Sequence, residues 1–203
     1  CKSKLSVITS SSEHALALTL MLERNLHNFI NEKEINNWDR YKYPIREISS
    51  QKVGIIGYGR IGKWLYEVFK KISLDVKFYD NDEIYKIHND FREKNYVFSN
   101  SDTIIISCSY DKGNKPIINI NDIDLLKRGV NIINISRGGV IDENAIIKGL
   151  KLGTISGYAT DVLIEEENNK PIASSNLITM QSMGYNIIIT PHIGGAAYDS
   201  MRK

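Results

Sequence analysis

Unbroken aliphatic runs constrain this chain more than any other feature. "KVGII" (52–56), "TIII" (103–106), "VNIIN" (130–134) and "NIII" (186–189) carry almost no polar alternation. A strand that alternates polar and apolar residues wets one face. A strand written as a continuous Val/Ile run is buried on both, as in a parallel sheet covered by helices on each side. Strands are expected at 52–58, 75–80, 102–109, 130–136, 154–162 and 185–190, with helices at 60–72, 119–129 and 142–153. Alternation of this kind means an α/β fold with a doubly wound parallel sheet. Asn81–Asn100 and Glu165–Tyr185 are polar with sparse periodicity and read as loops. Asn134-Ile-Ser136 fits a glycosylation sequon, but its place in a buried strand discounts it.

Ahead of the first strand, residues 10–37 form a long amphipathic helix with Leu18, Met21, Leu22, Leu26, Phe29 and Ile30 at helical spacing. Ser10 followed by Glu13 suggests a capping box. Leu16, Ala17 and Leu20 widen the apolar stripe, so burial on more than one side is expected. His14 and His27 read as packing or surface residues.

Composition narrows the function. A formal charge of +2 leaves no electrostatic footprint for nucleic acid. No apolar run reaches the ~18 residues that a membrane helix needs. Cys1 and Cys108 are too few for a disulfide framework and lack metal-ligand spacing, so a reducing cytoplasmic compartment and no metal site are expected.

"GYGRIG", Gly57–Gly62, fits G-x-G-x-x-G between a strand and a helix, the context that gives this motif meaning. Gly57 allows the tight turn, Gly59 leaves room for a pyrophosphate, and Gly62 lets helix and strand approach. Amides near Arg60 and Ile61 then face the phosphates from a helix N-terminus. Asp80 closes the next strand. An acid there accepts from the adenosine ribose hydroxyls and repels a 2′-phosphate, so NAD is favoured over NADP.

Three further groups stand past strand ends, where ligands gather in such sheets. Arg137, before a Gly-Gly turn, offers a planar fork for a carboxylate. Asp142 reads as the N-cap of the following helix. Asp161 ends the next strand, and Glu165, Glu166 and Glu167 follow it. His192 lies in "TPHIGG". Arginine, glutamate and histidine converging on one sheet edge have the parts for proton-coupled hydride transfer: the arginine clamps an acid and the histidine moves a proton.

Taken in order, "SSEHALAL", "GIIGYGRIGKWL", "FYD", "INISRGGVIDENAI", "GYATDV" and "ITPHIGG" resemble the D-isomer-specific 2-hydroxyacid dehydrogenase family over nearly the whole chain. The resemblance implies a Rossmann-type dinucleotide-binding domain inserted in a second, substrate-binding domain. It implies catalytic Arg137 and His192, with Glu166 found by counting five residues past Asp161. This chain has Glu167 where the family commonly has proline, so Glu165 and Glu167 compete for that role. The resemblance also implies cofactor contacts from Ser107, Cys108, Ile135, His192 and Gly194, and from Asp161 to the nicotinamide carboxamide. Ser109 and Lys115-Pro116 depart from the family's usual proline and Thr-Arg pair.

These likenesses divide the chain into a remnant of the substrate domain (1–9), the dinucleotide-binding domain with its crossover helix (10–193, helix 10–37) and the start of a return to the substrate domain (194–203). The implied activity is NAD-dependent hydride transfer at C2 of a 2-hydroxy or 2-keto acid, in a protein that is a homodimer at full length. An isolated cofactor-binding half is expected to turn over poorly. A corepressor-like module that senses NAD is the competing reading. A methyl-donor-binding domain suits "GYGRIG" but leaves Arg137 and His192 unexplained.

Overall fold

The aliphatic runs pair side by side. In the computed structural model, which describes residues 9–31, 39–111 and 113–201, six strands form one parallel sheet. They are β1 (Lys52–Ile56), β2 (Asp75–Tyr79), β3 (Thr103–Ile106), β4 (Val130–Asn134), β5 (Ile155–Thr160) and β6 (Ile187–Ile189). Their order is β2-β1-β3-β4-β5-β6, so the direction of winding reverses between β1 and β3. The helices are α1 (Ser10–Glu23), α2 (Leu26–Ile30), α3 (Arg60–Ile72), α4 (Lys94–Asn100), α5 (Glu143–Leu152), α6 (Ile164–Glu167), α7 (Asn176–Ser182) and α8 (Tyr198–Met201).

Successive strand residues point to opposite faces, and each face has its own core. Ile55, Ile105, Ile133, Ala159 and Ile188 pack with Ala15, Leu18 and Leu22 of α1 and with Leu65 and Phe69 of α3. Ile56, Ile104, Ile106, Ile132 and Ile187 pack with Val97 and Phe98 of α4, Ala145 and Ile146 of α5, and Leu177 and Met180 of α7. Both layers are dry, which is why the strands could be written in isoleucine. The fold is a doubly wound α/β sheet, as the aliphatic runs require.

Local structure departs from expectation where polar side chains compete with the backbone. The helix expected over 10–37 breaks at Asn25, whose φ is 51°. Asparagine tolerates that left-handed conformation, and its side chain donates to the Pro44 carbonyl at 2.7 Å and accepts from Asn28 at 2.8 Å. Residues 32–37 of that helix lie outside the described residues. Its N-cap is Thr9, not Ser10; Thr9 Oγ1 donates to Glu13 at 2.5 Å, while Ser10 Oγ donates to the Gly194 carbonyl at 2.6 Å.

The helix expected over 119–129 shrinks to a 3-10 turn at Ile123–Leu125. Asp122 accepts from the Asn119 amide and Asn119 from the Asn121 amide, each at 2.9 Å. Such local bonds offer the backbone an alternative to helix. Conversely, the two expected loops hold short helices. α4 buries only Val97 and Phe98, and α7 only Leu177 and Met180. Two apolar positions make too weak a period to read.

One buried polar knot fastens α1 to the sheet. Glu23 accepts from Thr103 at 2.5 Å and from Asn131 at 2.8 Å, and pairs with Arg46 Nε at 2.9 Å. Arg46 also donates to the Gly129 carbonyl at 3.1 Å. Replacing Glu23 strands buried donors beside an unpaired arginine. Glu23→Ala is expected to lower unfolding stability by about 3 kcal/mol in urea denaturation, whereas Glu23→Gln, which still accepts, should lose less.

Candidate active site

The turn after β1 shows why glycine stands where it does. Gly57 has φ 97°, and a Cβ there would sit 2.5 Å from backbone atoms of Cys108. A Cβ on Gly62 would lie 1.9 Å from the Gly57 carbonyl oxygen, so helix and turn touch without a side chain between them. A Cβ on Gly59 would meet nothing within 4 Å. Gly57 and Gly62 therefore serve packing, and Gly59 faces open space. That space is a cleft of about 570 Å³. It is bordered by Gly57, Gly59, Arg60 and Ile61 on the side of β1 and α3, and by Asp80 and Asn81 past β2. Ser107, Cys108, Ile135 and Arg137 border it past β3 and β4.

Polar bonds set the shape of the cleft. Ser107 Oγ donates to the Gly57 carbonyl at 2.9 Å, joining the two turns at the point where the winding reverses. Asp80 accepts from the Tyr58 amide at 2.6 Å and from the Asp82 amide at 2.9 Å, which fixes the carboxylate at the rim. Each oxygen keeps capacity for a further donor. Gly59 is the N-cap of α3 and supplies no side-chain acceptor, so the first amides of that 13-residue helix open into the cleft region. Burial pushes the Cys108 thiol up to about 11, so it stays neutral at neutral pH.

The turn past β4 is shaped by a residue that the sequence left inside an aliphatic run. Buried Asn134 accepts from the Ser136 amide and donates to the Arg137 carbonyl, each at 3.0 Å. Ser136 Oγ donates to the Cys108 carbonyl. Arg137 is exposed at the cleft, with one guanidinium nitrogen on the Ser136 carbonyl at 2.8 Å. Asp142 is the N-cap of α5, accepting from the Asn144 amide at 3.0 Å. Sequence reasoning missed Tyr110, Ser136 and Asn81 as cleft-lining residues. Tyr110 follows Ser109 in the segment where the family pattern is broken.

A second, smaller cleft of about 340 Å³ lies past β5 and β6 and is bordered by Asp161, Glu166 and His192. His192 has φ 53°, a conformation uncommon outside glycine. Asp161, 4% exposed, holds the loop there. It accepts from Thr190 Oγ1 at 2.5 Å, the Ile193 amide at 2.9 Å and the Gly194 amide at 2.7 Å. His14 of α1 completes the cluster, with Nε2 at 3.0 Å from Thr190 Oγ1 and 3.3 Å from Asp161. A role for His14 was not read from the sequence, because nothing local marks a helix residue that meets a loop 176 positions away.

The glutamates separate cleanly. Glu166 Oε1 lies 2.6 Å from His192 Nδ1, and both side chains are part-exposed. Glu165 is buried, and Glu167 accepts from the Gly139 amide at 3.2 Å. The structure thus brings Glu166 and His192 together in one cleft, and Arg137 with the glycine turn and Asp80 in the other. Arg137, Glu166 and His192 all lie past the carboxyl ends of the neighbouring strands β4, β5 and β6.

Asp161 carries a pH signature. Burial alone would raise its carboxyl group, but hydrogen bonds from His14, Thr190 and the Gly194 and Ile193 amides outweigh it and hold it below 3.8. A depressed folded value means stability that is complete above 3.8 and is lost as pH falls through the lower value. Exchange protection of the Ile193 and Gly194 amides should therefore be flat above 3.8 and decline below it. Asp161→Ala should abolish that protection and cost about 2 kcal/mol of stability.

Residues 16–194 match the family described as D-isomer specific 2-hydroxyacid dehydrogenase, NAD binding domain. Among curated relatives, a D-3-phosphoglycerate dehydrogenase of Haemophilus influenzae is 31% identical over 96% of this chain and 47% of its own length. A glycerate dehydrogenase of Methylorubrum extorquens is 28% identical over 94% of this chain and 60% of its own length. Among solved structures, a D-lactate dehydrogenase from Sporolactobacillus superposes with a TM-score of 0.82 at 29% identity, over 95% of this chain and 60% of that one. The chain thus spans about half to three fifths of the length of these relatives. Its reversal of winding, its glycine turn and the match over 16–194 have one meaning: the chain belongs to the D-isomer specific 2-hydroxyacid dehydrogenase family, as an NAD-binding domain.

Proposed function

We propose that residues 10–193 are the cofactor-binding half of an NAD-dependent enzyme that interconverts a 2-hydroxy acid and a 2-keto acid. The observation that carries this reading is the 2.6 Å contact between His192 Nδ1 and Glu166 on the ligand-binding edge of the sheet. With the Nδ1 proton directed at Glu166, Nε2 is left to exchange a proton with a substrate.

The residues fit the cofactor. Gly59 leaves open the space a pyrophosphate needs, the first amides of α3 face it, and Asp80 stands at the rim where a ribose would lie. Ser107, Cys108 and Ile135 line the continuation of the cleft toward Arg137. Bound NAD supplies the hydride acceptor or donor. Arg137 holds the substrate carboxylate through its planar fork. His192 delivers a proton to the C2 oxygen in reduction and removes it in oxidation, while Glu166 keeps the ring in place. Asp161 and Gly194 set the loop that carries His192, and we assign Asp161 a further contact to the nicotinamide carboxamide.

Within a full-length enzyme that completes the cleft, this half should support oxidation of NADH by one or more 2-keto acids from a panel that varies the C3 substituent. His192→Ala should lower kcat by about 10²–10⁴-fold while leaving NADH affinity within about threefold, because the ring acts on substrate and not on the phosphates. Unchanged kcat in that variant would remove His192 from proton transfer.

A further inference from the structure

α6, the helix that carries Glu166, is four residues long and lacks a cap of its own, since Leu163 at its N-cap offers no side-chain acceptor. The acceptor comes from another element. Glu143, the first residue of α5, accepts a hydrogen bond from the Ile164 amide at 3.2 Å. Two further contacts press α6 against the turn that follows Arg137. A Cβ on Gly138 would lie 2.4 Å from the Leu163 carbonyl carbon, so the backbones touch there. The Gly139 amide donates to Glu167 at 3.2 Å. α6 is thereby held between α5 and that turn, with Glu166 reaching His192 at 2.6 Å.

Glu143 takes no part in the proton transfer, yet it is half-buried in an acidic place. Facing it are Glu165 of α6, Asp142 of its own helix, the Ser175 hydroxyl at the start of α7, and Tyr158 of β5. Glu165 is itself buried, and its Oε2 has no hydrogen-bond partner among the described residues. Two carboxylates in a partly dry site do not both ionise without cost.

We propose that Glu143 is a positioning residue for the Glu166–His192 pair: its carboxyl group is the cap that fixes α6, and with it the place of Glu166. The inference rests on the reading of that pair as the proton-transfer machinery. A pH dependence accompanies it. Burial first, opposed by the bond from Ile164 and reinforced by Glu165, pushes the Glu143 carboxyl group up to about 7 from 4.5. A folded value raised above the unfolded one means stability that is complete below 4.5 and is lost as pH rises through about 7. The neutral carboxyl group caps through its carbonyl oxygen, whereas the carboxylate caps beside a second acid. α6 is held most firmly on the acid side of neutrality.

Amide hydrogen exchange tests this, corrected for intrinsic rates, at about one pH unit below and one above that value. Protection of the Ile164 amide, which Glu143 accepts from, and of the Asn168 and Lys170 amides, which close α6, should fall about tenfold across the interval in the unsubstituted protein. Glu143→Gln keeps an acceptor and does not titrate, so its protection should be flat. Glu143→Ala should lose protection at both pH values, with β4 and β5 amides as the control for folding. Equal protection in Glu143→Ala, or the same pH dependence in Glu143→Gln, overturns the proposal. Turnover adds a second arm. Glu143→Ala should lower kcat by about 10-fold or more with NADH affinity unchanged, and Glu143→Gln should restore it. Turnover lost in His192→Ala but normal in Glu143→Ala overturns the positioning role alone. Turnover retained in His192→Ala removes the pair and the role together.

Discussion

Six strands run parallel, so all their carboxyl ends lie at one edge of the sheet. That constraint governs the rest of the structure. It brings Gly57, Asp80, Ser107, Arg137, Asp161 and His192, which are scattered over more than 130 positions, to the same side. It also sets the divide between β1 and β3, where neighbouring turns part to either side and leave room for a ligand. The parallel arrangement in turn needs two dry faces, which α1 and α3 provide on one side and α4, α5 and α7 on the other.

Buried polar side chains do at this edge what isoleucines cannot. Asn134 shapes the turn that presents Arg137. Asp161 gathers three donors from the loop that presents His192 and holds a non-glycine residue at φ 53°. Glu143 reaches across to the first amide of α6. At the opposite edge Glu23 collects Thr103 and Asn131 and fastens α1. Each is a polar group among apolar layers, held in place by the partners named here.

Much of this was legible in the residues. The Val/Ile runs predicted the strands, and "GYGRIG" predicted the turn, the helix start at Arg60 and the open position at Gly59. What sequence could not show was pairing over long separations. His14 reads as an ordinary helix residue until the loop from 190 to 194 folds onto it. The choice among Glu165, Glu166 and Glu167 depends on the rotation of a four-residue helix, and that rotation is set by Glu143, Gly138 and Gly139 from elsewhere. The over-long helix predicted at 119–129 failed for a local reason, since Asn119 and Asp122 bind their own backbone.

We infer that the cleft between β1 and β3 takes a dinucleotide whose adenosine ribose faces Asp80. Calorimetric titration of the protein with NADH and with NADPH decides this. Saturable binding of one NADH per chain, about tenfold or more tighter than NADPH because Asp80 repels a 2′-phosphate, is the expected result. No saturable binding, or equal affinity for the two, would contradict it.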